Sequence, residues 1–162
     1  MEIPYNPSVL RAHFKKLRSG KVETSPQARG YVLERIVLGL LADAQLEPAS
    51  NFSREPSNGN VDGSFTFRSR VFLVECKWHK DAIDLDAVDV FAAKVRRRLG
   101  GTLGLFVSMS GFSARVAKNW RNRSQSSLLF MNGDDMDQAV DQGIRTVLEA
   151  KFSQASRSGL FL

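Results

Sequence analysis

The chain has 162 residues, a length that suits one domain with a real core, and its apolar (43%) and charged (25%) fractions are those of an ordinary soluble globular protein. A formal charge of +6 and a pI near 9.8 favour polyanionic partners, nucleic acid first among them. The single cysteine, Cys76, excludes an intramolecular disulfide and a cysteine-based zinc site and suits a reducing cytoplasm; with no apolar leader core and no apolar run able to span a bilayer, a soluble cytoplasmic protein without a membrane partner is expected.

Val9, Leu10, Phe14 and Leu17 recur at helical spacing over Ser8 to Arg18, and Gly20 is a plausible stop. Arg11, Lys15, Lys16 and Arg18 make the rest of this helix basic, which suits a solvated face, a phosphate contact or a subunit contact. A second helix opens with Ser25 as N-cap and Pro26 in the first turn, and Leu33, Ile36, Val37, Leu40, Leu41 and Ala44 form its apolar stripe. Glu34 sits on the border of that stripe. From this helix alone it reads as a solvated glutamate, although a border carboxylate can lean into a cleft.

A short strand is expected around Ala49 to Ser53, and a turn or loop over Pro56 to Asn60. Val61 to Lys77 reads as a β-hairpin. In its second strand Val71, Leu73, Glu75 and Lys77 share one face, and Phe72, Val74, Cys76 and Trp78 the other. If Phe67 pairs with Arg70 across a two-residue turn at Arg68-Ser69, Asp62 falls opposite Glu75 and points to the same face. A four-residue turn preserves that pairing, and a three-residue turn shifts it by one.

Leu85 to Leu99 is predicted as a helix with Val88, Phe91, Ala92, Val95 and Leu99 as its stripe. Lys94, Arg96, Arg97 and Arg98 complement its C-terminal dipole or face a phosphate. A strongly apolar strand over Thr102 to Met109, a helix capped by Ser113, a short strand over Ser127 to Met131 and a last helix from Asp134 to about Phe152 complete the order. This indicates an α/β fold with a mixed central sheet flanked by helices. Residues 1–25 read as an N-terminal helical extension, 26–152 as the main domain and 153–162 as a tail or linker.

Asp62 and Glu75 are hard oxygen ligands for Mg²⁺ (Mn²⁺ can substitute) if they meet across the hairpin, with the Cys76 carbonyl as a further ligand and Glu34 another, directly or through water. Lys77, partly desolvated beside such a metal, is expected to have a lowered pKa that suits orienting or deprotonating a water. Cys76 itself reads as an inert buried thiol, Trp78 as core packing, and Asp81, Asp84, Asp86 and Asp89 as capping and solvated residues.

Asp62 followed by Glu75-Cys76-Lys77 resembles the PD-(D/E)xK nuclease superfamily, in its Mrr-like restriction endonuclease branch. The likeness runs from about Pro26 to Val147. It includes Arg29-Gly30-Tyr31-Val32-Leu33-Glu34, Val61-Asp62-Gly63, Val74-Glu75-Cys76-Lys77-Trp78, and Gly104-Leu105-Phe106-Val107-Ser108 with Gly111-Phe112-Ser113. Val61 stands where the superfamily's proline would, and Glu75 where many Mrr-like members have glutamine. The resemblance implies a restriction-endonuclease-like core and metal-dependent DNA cleavage, with Asp62, Glu75 and Lys77 as catalytic residues and Glu34 as auxiliary acid. It further implies a homodimer and a role in antiviral defence against foreign DNA. The alternatives are a catalytically silent DNA-binding module of the same fold, or a cleavage domain that needs a further domain, effector subunit or activator.

Overall fold

The computed structural model describes residues 6–50, 60–121, 126–159 and 162. In chain order the elements are α1 (Pro7–Arg18), α2 (Pro26–Asp43), β1 (Gly63–Phe67), β2 (Arg70–Lys77), α3 (Leu85–Arg96), β3 (Leu103–Ser108), α4 (Ala114–Arg121), β4 (Leu128–Met131), α5 (Gly133–Gln142) and α6 (Ile144–Ser158). Local chemistry explains most of the boundaries. The Asn6 side chain accepts from the Ser8 amide at 3.0 Å and Pro7 opens α1; the Ser25 hydroxyl accepts from the Ala28 amide at 3.1 Å and Pro26 opens α2.

β1 and β2 form the expected hairpin, with Phe67 opposite Arg70 across the two-residue turn Arg68-Ser69. Both turn residues have positive φ, 50° and 59°, the mirror-image turn whose twist suits a hairpin but which side chains disfavour. Here Arg68 is anchored from outside the turn. Its Nε lies 3.1 Å from Glu149 Oε2 and its guanidinium 5.1 Å from the Phe152 ring, both on α6.

The described strands run β1-β2-β3-β4 across one sheet, β1 antiparallel to β2, and β2, β3 and β4 parallel. Period-two alternation sorts the side chains into two cores. Phe65, Phe67, Phe72, Val74, Cys76, Leu105, Val107, Leu129 and Met131 pack with the apolar faces of α1, α2, α5 and α6. Leu73, Phe106, Leu128 and Phe130 pack with α3 and α4 on the other side. The parallel strands are buried on both faces, as parallel sheets must be.

Four boundaries differ from the sequence reading. Asn132 rather than Asp134 caps α5, in a reciprocal capping box with Asp135. The single expected last helix is two, because Gly143 takes φ 96° between α5 and α6, and α6 continues to Ser158. α3 stops at Arg96, so Leu99, placed on its apolar stripe by periodicity, is 88% exposed. Of the strand expected at Ala49 to Ser53, Ala49 forms an isolated bridge with Ser64; residues 51–59, which hold the rest of it and most of the expected loop, lie outside the described residues. No helix among the described residues is long and apolar enough to cross a membrane.

Gly104 marks where α3 comes closest to β3: a Cβ there would stand 2.6 Å from Leu128 Cδ2, 2.8 Å from Phe91 Cε1 and 2.9 Å from Val95 Cγ2. All three neighbours are buried. Gly104→Ala is therefore predicted to lower unfolding free energy by about 1–3 kcal/mol, read from the midpoint shift in urea denaturation at constant slope.

Candidate active site

The C-terminal ends of parallel strands are where open α/β sheets hold ligands, and β2 ends there with Glu75 and Lys77. Gly63 opposite Val74 is the last rung of the hairpin, and Asp62, which precedes it in the chain, lies close enough to Glu75 for the two carboxylates to repel. The Asp62 amide donates to the Val74 carbonyl at 2.9 Å, and its Oδ2 accepts the Cys76 amide at 2.7 Å. The N–H and C=O of one strand residue point to the same side of the strand. The Cys76 carbonyl therefore faces the Asp62 side as well, past the end of the β1 ladder. The next carbonyl, Lys77, faces the other way and accepts from Met109 at 3.1 Å.

Glu34 reaches this end of the sheet because β1 begins with glycine. A Cβ on Gly63 would meet Leu38 Cδ2 at 2.7 Å and the Ala49 carbonyl at 3.0 Å, so the bare backbone lets α2 lie close. Glu34, one turn before Leu38, then lies close enough to the Asp62 carboxyl for each charge to act on the other. On the other flank, the Ile83 amide donates to the Gly111 carbonyl and the Ser113 amide to the Ile83 carbonyl, both at 2.9 Å. The buried Ser108 hydroxyl also donates to Gly111, at 2.8 Å, and Ser110 to the Asp81 carbonyl, at 2.7 Å. Asp84 accepts from Ser113 at 2.7 Å and pairs with Arg115 at 2.9 Å, a structural use of the aspartate that precedes α3. These bonds tie the β2–α3 and β3–α4 connections together beside the site.

Glu75 is 7% exposed and bridges two ammonium groups: Oε1 is 3.0 Å from Lys77 Nζ and Oε2 is 3.3 Å from Lys94 Nζ. Burial and the neighbouring Asp62 charge push Glu34 up to about 7. Burial also raises Asp62, opposed by the Cys76 amide that bonds its charged form. Burial drives the Cys76 thiol well up, in keeping with an inert core residue.

The expectation of a lowered Lys77 concerned the site with a metal bound; the chain's own groups act differently. Burial alone would lower it, but the Glu75 carboxylate, by charge and hydrogen bond, leaves it raised, so it is held as an ammonium rather than a free base. Lys94 is the residue that sequence reasoning passed over. Its position flanking the α3 stripe was accounted for by the helix dipole, yet its Nζ crosses to Glu75 and donates to the Asn60 carbonyl at 2.7 Å.

The structure thus brings Glu34, Asp62, Glu75 and Lys77 to one end of the sheet. Among the described residues no three His, Cys, Asp or Glu side chains already stand as a cation cage. The donor chemistry nonetheless fits a hard divalent ion: oxygens only, crowded carboxylates whose pKa values rise in one another's company, and a carbonyl on the Asp62 side.

A family model described as restriction endonuclease (Mrr_cat) matches residues 26–140. Among solved structures, the chain is similar to the small subunit (R.BspD6I2) of the heterodimeric restriction endonuclease R.BspD6I, with a TM-score of 0.59 and 16% identity over 95% of this chain and 91% of that one. It is also similar to the MspJI restriction endonuclease solved with a 27-mer oligonucleotide, with a TM-score of 0.45 and 17% identity over 98% of this chain but 37% of that one. No curated protein matches it. The first of these likenesses establishes the fold: a mixed four-stranded sheet flanked by helices, as in restriction endonucleases.

A carboxyl raised on folding contributes stability that is full below its unfolded pKa, 4.5, and is lost as pH rises through about 7. Glu34→Gln removes that loss. The metal-free variant is predicted to melt roughly 2–4 °C above wild type at pH 8, the shift from about 1 kcal/mol in a chain of this size once solvent screening is allowed for. The two melting temperatures should converge below pH 4.5. Equal melting temperatures at both pH values would show that Glu34 is not raised.

Proposed function

Because the chain belongs to the Mrr_cat restriction endonuclease family, we propose that it is a metal-dependent DNA endonuclease that hydrolyses phosphodiester bonds. The observation that supports this most directly is the meeting of Asp62, Glu75 and Lys77 at one end of the sheet, with Glu34 beside Asp62. Asp62, Glu75 and the Cys76 carbonyl would hold the ion, with Glu34 joining directly or through water. Mg²⁺ or Mn²⁺ held there supplies Lewis acidity, an acidified water and counter-charge for the phosphorane.

The chain's own groups do the rest. Lys77, an ammonium paired with Glu75 and 34% exposed, faces the phosphate and orients the attacking water. Water oxygen bonds to phosphorus, the bridging P–O bond breaks, and the leaving oxygen takes a proton. Solvent water takes the proton that the attacking water gives up and supplies the one that the leaving oxygen takes. The buried floor of Phe106, Leu73 and Val88 keeps the low dielectric in which these charges act strongly.

Cleaving both strands of a duplex requires two sites, so a homodimer is the proposed form, acting in the cytoplasm against foreign DNA. Intact Asp62, Glu75 and Lys77 weigh against a silent binding module of the same fold.

Incubation with supercoiled plasmid and Mg²⁺ or Mn²⁺ is predicted to yield nicked and linear DNA, and chelation with EDTA to stop the reaction. Asp62→Ala and Lys77→Ala should each lose about 10²-fold or more in rate while keeping the wild-type circular dichroism spectrum. No cleavage with either metal, or cleavage at the wild-type rate by both variants, would refute the reading.

A further inference from the structure

The metal-dependent reading leaves open how many ions the site takes, and the hydrogen bonding around the two principal carboxylates bears on that number. A two-ion site holds its cations about 3.5–4 Å apart, which requires a carboxylate that lends one oxygen to each. Each candidate already has oxygens engaged by protein donors that compete with a second ion. Asp62 Oδ2 is engaged by the Cys76 amide at 2.7 Å. That bond fixes the end of the β2 backbone against β1, so an ion that broke it would leave a buried amide without a partner.

Glu75 is engaged at both oxygens, by Lys77 at 3.0 Å and by Lys94 at 3.3 Å. The two lysines differ in how firmly they are held. Lys77 extends from the strand that carries Glu75, and its side chain is 34% exposed. Lys94 comes across from α3, its side chain is 17% exposed, and its Nζ has a second anchor in the Asn60 carbonyl at 2.7 Å. An ion arriving at Glu75 therefore displaces Lys77 from Oε1 and leaves Lys94 on Oε2. Displaced, Lys77 is free to turn toward water and phosphate, the part given to it above.

Charge points the same way. Glu34, Asp62 and Glu75 face Lys77 and Lys94, so with every group ionised the site carries one excess negative charge. One divalent ion makes that a single positive charge, which matches a single phosphodiester. A second ion would overshoot, and Lys94 already lies where its charge would go.

We propose that the site binds one divalent cation per chain, and that Lys94 supplies from α3 the fixed positive charge that a second cation would otherwise bring to Glu75 Oε2. This inference rests on the metal-dependent nuclease reading. Lys94 is a positioning residue in it, acting through Glu75 and through the segment that leads into Asp62.

Isothermal titration of the full chain with Mn²⁺, in the absence of DNA, tests the inference without relying on activity. Wild type is expected to take one ion per chain and Lys94→Arg, which keeps the charge, also one. Lys94→Met is expected to take two, because Glu75 Oε2 is then free to bridge. In plasmid cleavage the Mn²⁺ dependence should steepen from about first to about second order in Lys94→Met. If Lys94→Met proves unfolded in a thermal melt, Lys94→Gln, which can still donate to Asn60, must show the second ion instead. Two ions on wild type, or one on a folded charge-removed variant, would overturn the inference while leaving the nuclease reading intact. No Mn²⁺ bound and no cleavage by wild type would overturn both.

Discussion

The pairing of Phe67 with Arg70 decides what the rest of the hairpin can do. In an antiparallel ladder every later pair follows from the first, and a slip of one residue turns a whole strand inside out. With Phe67 opposite Arg70, Phe65 stacks on Phe72 at 5.0 Å between ring centres, Gly63 meets Val74, and Asp62 follows within reach of the Glu75 charge. The turn that fixes this pairing is not made of residues that favour its geometry. Arg68 and Ser69 both adopt positive φ, where Asn-Gly would be the ordinary choice. The conformation is held from outside, by Glu149 and Phe152 of α6 on the Arg68 guanidinium. A contact at one end of the sheet therefore determines the register of two carboxylates at the other.

The same register divides labour between the faces of β2. Phe72, Val74 and Cys76 build the larger core, while Leu73, Glu75 and Lys77 run along the α3 face and become polar where the helix cover ends. Glu75 is nearly as buried as the Leu73 two residues before it. A carboxylate so placed requires partners, and it has them in two lysines from different elements. Glu34 and Asp62 lack that compensation in full, and their raised pKa values are the physical record of it. Strain of this kind, tolerated by a sheet whose two cores are otherwise well packed, marks a site shaped for something other than stability.

How much of this was legible in the sequence follows from how local each cause is. The caps at Ser25 and Pro26, the apolar stripe of α2 and the alternation of β2 are short-range signals, and they gave the element order and the two faces. The opposition of Asp62 and Glu75 was legible only on the condition of a two-residue turn, because the anchor that enforces that turn lies on α6, far along the chain. Two features of the site were not legible. Whether Lys77 is raised or lowered depends on burial against the nearness of Glu75, and the strand pattern gives the face but not the distance. Lys94 satisfies a helix-end rule equally well whether it faces water or the site. Only the crossing of α3 over the sheet, permitted by the bare backbone at Gly104, brings it to Glu75. The break at Gly143 was hidden for a similar reason, since a lone glycine inside a helical pattern can be tolerated as readily as it can end the helix.

The net charge also has to be read through the structure. The basic face of α1 looked available for phosphate or a second subunit. Lys15 instead lies 2.9 Å from Asp141, and Arg18 lies 3.1 Å from Asp137 and 3.7 Å from Asp134, all on α5, while Arg11 approaches Asp43 at the end of α2. Exposed pairs of this kind add little stability, but they cancel the field that would draw in a polyanion. The apolar side of α1 is committed as well: Leu10 and Phe14 join the larger core, and Phe14 packs against Trp78 at 6.3 Å, the residue that follows the Glu75-Cys76-Lys77 strand end. This helix therefore acts as a brace behind the site and contributes little to the positive surface. Lys77 and Lys94 do not replace it, because both are paired with Glu75 among three carboxylates. An ion bound there would raise the local potential where the scissile phosphate has to sit, so charge and chemistry would be concentrated at the same point.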